Sequence, residues 1–287
     1  MSNLAVPHFN HSRAWHENRF IYPVLSRRSR GLSIGVNLNP DKICNFDCVY
    51  CQIDRRSDAE TKFVATEQLL VELRDMLELV STGEIWDDER FAGTPERLRR
   101  LNDIAFSGDG EPTSHKNFPE VVEAVAGVKR TFGLDETKLV LITNASLFHR
   151  PAVRRGLKVL DVNEGEIWAK LDAGTEEYYK QIERTPIPFS RVLDNIAAAA
   201  RERPVVIQSL FLRFDGTGPS DEEIEAFCER LHEITQSGGS ISLVQIYTIA
   251  RATAESNVTA LADAQVDGIC SVVRERTGLE VEGHYGK

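Results

Sequence analysis

The chain has 287 residues, 41% of them hydrophobic, a net charge of −10 and five cysteines. That length suits one large barrel-type domain or two small ones, and burying about three quarters of the unfolded surface removes any need for disulfide staples. No run of about 18 apolar residues is present to span a bilayer, and the acidic balance weighs weakly against a large nucleic-acid partner, whose affinity comes mostly from phosphate contacts.

Residues 1–30 read as a lead-in arm. The stretch up to Trp15 lacks the apolar core of a signal peptide, which points to a soluble, cytoplasmic protein with no membrane partner. His8, His11 and His16 are not at a metal-binding spacing. Arg27, Arg28 and Arg30 form a basic knot before the first strand; they can hold an anion or simply stay solvated.

From there the chain alternates strand and helix six times. The β-rich apolar runs are Leu32–Leu38, Asp103–Ser107, Lys138–Thr143, Gly165–Asp172, Pro204–Leu212 and Ser240–Ile249. Thr66 can cap the first helix, whose apolar face is Leu69, Leu70, Leu73 and Leu77. Pro119 starts the second, with Val121, Val122, Val125 and Val128 inside. Arg150–Leu160 is the third. Ser190–Arg201 is the fourth, after a shorter helix near Glu176. Ser220 caps the fifth, and Ala260–Arg276 is the sixth, ended by Gly278. The charged stretch Ser81–Arg100 reads as a surface excursion.

Alternation of this kind means parallel strands with right-handed crossovers. Six units are too few to close an eight-unit barrel. The fold class is therefore α/β over residues 31–259, in six strand–helix units. Residues 260–287 supply a helix and tail packed on it. Functional groups then belong at the C-terminal ends of the strands.

Cys228 falls with Ile224, Phe227 and Leu231 on one helical stripe, and Cys270 with Val266, Ile269 and Val273 on another. Both read as core residues, since a buried free thiol behaves as a small hydrophobe.

The other three cysteines are Cys44, Cys48 and Cys51, a C-x3-C-x2-C run in the loop after the first strand. Three thiolates on one loop can hold three irons of a [4Fe–4S] cluster and leave the fourth open. The alternatives are zinc completed by His115 or His149, or an electron-transfer cluster. Ferredoxin runs are spaced C-x2-C-x2-C with a fourth cysteine, and zinc knuckles pair their cysteines; neither pattern is present.

The run, with Tyr50 before its last cysteine, resembles the signature of the radical S-adenosylmethionine (SAM) superfamily. The stretch Gly31-Leu-Ser-Ile-Gly-Val-Asn-Leu-Asn-Pro40 followed by Cys44–Gln52 is similar to the branch of the tRNA wyosine-base synthases and their uncharacterised relatives. The resemblance runs from about Tyr22 to Glu255. It implies an open partial (β/α)6 barrel of TIM type over residues 31–259, and a [4Fe–4S] cluster on Cys44, Cys48 and Cys51 with SAM on the open iron. It further implies an electron donor of flavodoxin or ferredoxin type, and reductive cleavage of SAM to methionine and a 5′-deoxyadenosyl radical. Tyr50 counts among the implied cofactor contacts.

The second strand ends in Ser107-Gly-Asp-Gly-Glu-Pro-Thr113. Gly108 and Gly110 permit close backbone approach, and the Glu111 carboxylate can hold an amine; an ordinary turn is the alternative. The segment resembles the superfamily's Gly-Gly-Glu-Pro stretch, which binds the SAM amino group. That resemblance implies SAM contacts at Gly108, Asp109, Gly110, Glu111 and Pro112, with Asp109 a departure between the glycines. Asn144, at the end of the third strand, can contact SAM or substrate or cap the next helix.

On the fourth strand Trp168, Lys170 and Asp172 alternate with Ile167, Ala169 and Leu171, which places Lys170 and Asp172 together near the mouth. Asp172 is a candidate cofactor contact. Lys170 is the candidate catalytic residue, as a substrate or SAM-carboxylate contact or as a Schiff-base amine like the lysine of wyosine synthases. An ion pair with Asp172 or Glu111 is the structural alternative. Gln208, Ser209, Gln245, Tyr247 and Arg251 are polar groups on apolar strands that can orient SAM or substrate. Wyosine synthases carry a second cluster on cysteines before the main motif, and no cysteine precedes Cys44 here. The expectation is a related enzyme acting on an unidentified substrate, with tRNA possible but not favoured.

Overall fold

The computed structural model describes residues 15–26, 28–55, 57–59, 61–251, 253 and 255–286. His8, His11 and Arg27 lie outside the described residues. The chain divides into two compact units.

The first unit comprises the described residues of Met1–Ile43, with Asp58–Leu141 and Arg155–Gly165. Its strands run in the order β1 (Ile21–Ser26), β2 (Gly31–Val36), β3 (Leu101–Phe106) and β4 (Lys138–Thr143, whose last two residues belong to the second unit). β2, β3 and β4 are parallel, and β1 is antiparallel to β2 with Ile21 opposite Val36. All six residues of β2 are buried, which is how a strand covered on both faces reads. Helix α1 (Thr66–Thr82) buries Leu69, Leu73, Met76 and Leu77; Leu70, expected on that face, is only half-buried. The cap of α1 is Ala65 and carries no side-chain hydrogen bond, so Thr66 is the first helical residue rather than the cap. Helix α2 (Phe118–Thr131) buries the four expected valines. The stretch after α1 forms two short 3-10 turns. It is not purely a surface excursion, because Ile85 and Phe91 are buried and Phe91 packs on Trp15 with ring centroids 5.9 Å apart.

Strand β1 arises within the residues read as a lead-in arm. Pro23 interrupts its pattern, and proline is tolerated in a strand only where the missing N–H is not needed, as at an edge. The strand is started by Glu72 of α1. Its buried carboxylate accepts from the backbone N–H groups of Arg19 (3.1 Å), Phe20 (2.8 Å) and Ile21 (3.1 Å), and Gln68 adds a side-chain bond of 2.9 Å.

The second unit comprises Cys44–Ser57, Ile142–Arg154 and Glu166–Lys287. Its strands run in the order β5 (Gly165–Lys170), β6 (Val205–Leu210), β8 (Ile241–Tyr247) and β10 (Val281–His284), all parallel. Around them lie α4 (Glu176–Glu183), α5 (Phe189–Glu202), α6 (Asp221–Gln236) and α7 (Asp263–Thr277), with α3 (Pro151–Asp161) divided between the units. Ser220 caps α6 by accepting from Glu223 N at 3.2 Å, and Gly278 ends α7 at φ 69°. α7 starts later than the sequence pattern suggests, because Val258–Ala260 pair antiparallel as β9 with β7 (Leu212–Phe214). The tail is a strand, with Val281 opposite Val244. Among the described residues, no helix is long and apolar enough to cross a membrane.

Replacing Glu72 by alanine leaves three backbone donors without their carboxylate. The expected cost is about 3 kcal/mol, measured by urea denaturation of the Glu72→Ala protein against wild type.

Candidate active site

In the second unit the cysteine run, residues 44–51, has neither helix nor strand of its own. The residues between the cysteines anchor it. Phe46 and Val49 are 6% and 2% exposed. Phe46 meets Tyr179 edge-on at 6.0 Å, and Val49 sits among Ile182, Leu210, Leu212 and Val258. Each anchor contributes about 2 kcal/mol by leaving water. The backbone N–H groups of Asp47 and Val49 donate to the carbonyls of Glu183 (3.1 Å) and Ile182 (2.9 Å). These are last-turn carbonyls of α4, which a helix cannot satisfy itself. A turn bond from Cys51 N to Cys48 O (2.9 Å) sets the spacing of the last two thiols.

Asn45 ties the run to the loop after β4. It accepts from Asn144 Nδ2 at 2.9 Å, donates to Ser146 Oγ at 2.7 Å, and its carbonyl accepts from Thr185 Oγ at 2.9 Å. Asn144 accepts in turn from Ser146 N at 3.1 Å. The place of Asn144 is therefore beneath the cysteine run, where it positions Asn45.

The thiols are half-buried and form no disulfide. Among the described residues no three Cys, His, Asp or Glu side chains are gathered on a single ion. Cys48 Sγ is turned to Glu183 Oε2 at 2.6 Å, and Cys51 Sγ lies 3.4 Å from Arg55 Nη2. Burial, reinforced by Glu183, raises the Cys48 thiol well above its ordinary range. His149 is exposed. Cys228 and Cys270 are 2% and 4% exposed in α6 and α7, and burial pushes both thiols up to about 11. The donor set fits a cluster with three protein thiolates: three on one loop, and the other two sequestered in helical cores.

Lys170 and Asp172 do come together at the end of β5. Lys170 Nζ is 2.9 Å from Asp172 Oδ2 and 2.9 Å from the Tyr247 hydroxyl. The Tyr50 hydroxyl donates to Asp172 Oδ2 and stands 3.4 Å from Glu183 Oε1. Asp172 Oδ1 accepts from Leu210 N at 2.7 Å. Burial works against the charge on Lys170, but Asp172 and Tyr247 override it and hold the amine above its ordinary range. Burial raises Glu183, with Asp172 adding to the shift. Sequence reasoning missed Glu183, because the end of a short charged helix looks like solvated surface; nothing in the pattern sets it apart. Of the other polar candidates, Gln208 Nε2 donates to Gln245 Oε1 at 2.8 Å and Arg251 Nη1 to Gln52 Oε1 at 2.9 Å. Ser209 is fully buried.

In the first unit the turn Gly108–Pro112 follows β3 and runs into the 3-10 turn Pro112–Ser114. The glycines are required by the chain's own packing. A Cβ at Gly110 would lie 2.2 Å from Ile43 O, and one at Gly108 would lie 2.3 Å from Asn37 Oδ1. Asn37 Nδ2 donates to Asp109 Oδ2 at 2.7 Å. The Glu111 carboxylate, 2% exposed, accepts from Thr113 N at 3.1 Å and from the Thr113 hydroxyl. Asn39 donates to Ser114 Oγ at 3.1 Å, while its Oδ1 is buried with no hydrogen-bond partner. An orphaned acceptor on Asn39, bonded to the end of the turn, and the carboxylate within the turn fit an ammonium group such as that of SAM.

The sequence pattern of the Radical SAM superfamily matches residues 38–231, and the chain belongs to that superfamily. A [4Fe–4S] cluster and SAM are its cofactors. A protein of Brachyspira hyodysenteriae named GTPase Obg is 22% identical over 92% of this chain and 35% of its own length. The chain spans between 35% and 60% of the length of the curated relatives it matches. Among solved structures, a radical SAM methyltransferase from Sphaerobacter thermophilus has a TM-score of 0.62 at 14% identity, over 92% of this chain and 68% of that one. Streptococcus suis SuiB, bound to S-adenosylmethionine, has a TM-score of 0.59 at 13% identity, over 90% and 52%. These likenesses show the fold, the α/β partial barrel that the sequence resemblance implies.

Asn144→Ala is expected to cost about 1–2 kcal/mol in a urea titration and to lower the iron retained after desalting. Cys228→Ala and Cys270→Ala are expected to cost about 1 kcal/mol each while leaving bound iron and sulfide at the wild-type level.

Proposed function

We propose that Cys44, Cys48 and Cys51 hold the [4Fe–4S] cluster and that the turn Gly108–Pro112, with Asn39, holds the ammonium group of SAM. When bound, the cluster supplies the electron that splits SAM into methionine and a 5′-deoxyadenosyl radical, which takes a hydrogen atom from the substrate. The protein groups bind, orient and exclude water, and the cofactor carries the hard chemistry.

One observation carries the reading. The run is pinned to the unit by the buried Phe46 and Val49 and by the N–H groups of Asp47 and Val49 on α4, and it carries three half-buried thiols on one loop. With Cys228 and Cys270 packed in helices, the second unit supplies no further thiolate. A three-thiolate set leaves one iron open for SAM. The SAM-bound state of SuiB, a protein of the same fold, supports SAM as the ligand.

The electron donor is of flavodoxin or ferredoxin type, and five cysteines outside any disulfide suit a reducing, cytoplasmic setting. A net charge of −10 favours a substrate other than RNA.

The test is anaerobic reconstitution with iron and sulfide, then EPR of the reduced protein with and without SAM, with 5′-deoxyadenosine assayed in the same tube. The expected result is a [4Fe–4S] signal shifted by SAM together with 5′-deoxyadenosine, both lost when any one of Cys44, Cys48 or Cys51 becomes alanine. A cluster indifferent to SAM, or zinc in place of iron, would mark a non-catalytic metal protein and overturn the proposal.

A further inference from the structure

The charge at the end of β5 has no part in the reading so far. Lys170 is 17% exposed at its side chain and Asp172 is fully buried. Lys170 Nζ lies 4.8 Å from the Tyr50 ring centroid and, at the hydroxyl end of the other ring, 5.4 Å from the Tyr247 centroid. It also bonds Asp172 Oδ2 and the Tyr247 hydroxyl, each at 2.9 Å. Tyr50 stands in the chain between Cys48 and Cys51, and its hydroxyl is on the same Asp172 oxygen. The cation is thus joined to the cysteine run twice, once through the ring of Tyr50 and once through Asp172. Asp172 is held in turn by Leu210 N on β6.

An amine in this setting is protonated and committed to its partners. Imine formation with a carbonyl substrate needs a free lone pair on the nitrogen, which an ammonium lacks. A fixed positive charge in a poorly solvated place does something else. It stabilises any nearby state that gains an electron, and it does so more strongly than in water.

We propose that Lys170 is a positioning residue acting as a fixed cation, which holds Tyr50 and the Cys48–Cys51 turn and favours the reduced state of the cluster bound there. This rests on the assignment of the cluster to Cys44, Cys48 and Cys51. Asp172 is the counterweight: it fixes the place of Lys170, and its own charge opposes reduction. Reduction potentials of iron–sulfur centres follow local charge and burial in this way.

The experiment is a potentiometric titration of the reconstituted cluster, without SAM, using dithionite as reductant and EPR as readout. The variants are Lys170→Met, Lys170→Arg and Asp172→Asn. Lys170→Met is expected to move the midpoint potential more negative and Asp172→Asn more positive, with Lys170→Arg close to wild type. A purely structural lysine would change folding or iron content without this opposition of sign. If Lys170→Met does not fold, the double variant Lys170→Met/Asp172→Asn leaves no unpaired buried charge, and its potential is expected to lie below that of Asp172→Asn alone. A wild-type protein without a cluster sinks the assignment of the ligands. A wild-type cluster whose potential is the same in all variants, or moves the same way in Lys170→Met and Asp172→Asn, overturns the role given to Lys170.

Discussion

The loop that carries the three thiols closes one turn bond of its own, Cys51 N to Cys48 O, and takes its other anchoring bonds from elsewhere in the second unit. The i, i+4, i+7 spacing of the cysteines would suit one face of a helix, yet residues 44–51 form neither helix nor strand. The run from Cys44 to Cys51 is therefore carried by other parts of the second unit. The decisive bonds are those of Asp47 and Val49 to the carbonyls of Glu183 and Ile182. The end of α4 has acceptors without partners, and the loop has donors without partners. Arg184, in the left-handed conformation at φ 43°, ends the helix there and donates to the Asp47 carbonyl at 2.9 Å. Phe46 and Val49 then need only a pocket, and α4 with β6 and its flanking residues provides it.

The charged groups beneath the run follow from the same economy. Burying a lysine costs several kcal/mol unless a carboxylate is held against it with good geometry. Asp172 meets that condition because one oxygen is fixed by Leu210 N and the other faces the amine. The Tyr50 ring adds an attraction for the cation that is stronger where water is excluded, and Tyr247 adds its hydroxyl. Glu183 lies beside this pair with its charge disfavoured by burial. The arrangement keeps a single formal cation and its counter-ion in fixed places near Tyr50, whatever binds to the thiols.

The turn after β3 is built on a different principle. There the backbone itself approaches other backbone closely, and side chains of the segment before Cys44 fill the space that a Cβ would need. Glycine is selected by packing as much as by ligand approach. Asp109, the residue that departs from the superfamily's paired glycines, has a partner in Asn37; Asn37 and Asn39 are the polar side chains that make this variant of the turn self-consistent.

Periodicity and motif determined much of this protein. Six strand–helix units, the apolar faces of α2, α6 and α7, the helical burial of Cys228 and Cys270, and the grouping of Lys170 with Asp172 were all legible, because each depends on neighbours a few residues away. What only the tertiary structure decided depends on partners far along the chain. β1 and β10 are short edge strands whose pairing partners, not their sequences, make them strands. Glu72 looks like any charged helical residue until three backbone donors fold onto it. Glu183 and Asn144 gain their places from a cysteine run about 140 and 100 residues upstream. The thiols, as covalent chemistry, could be read from the amino acids; the setting that holds them is a matter of long-range contact, and local pattern carries no record of it.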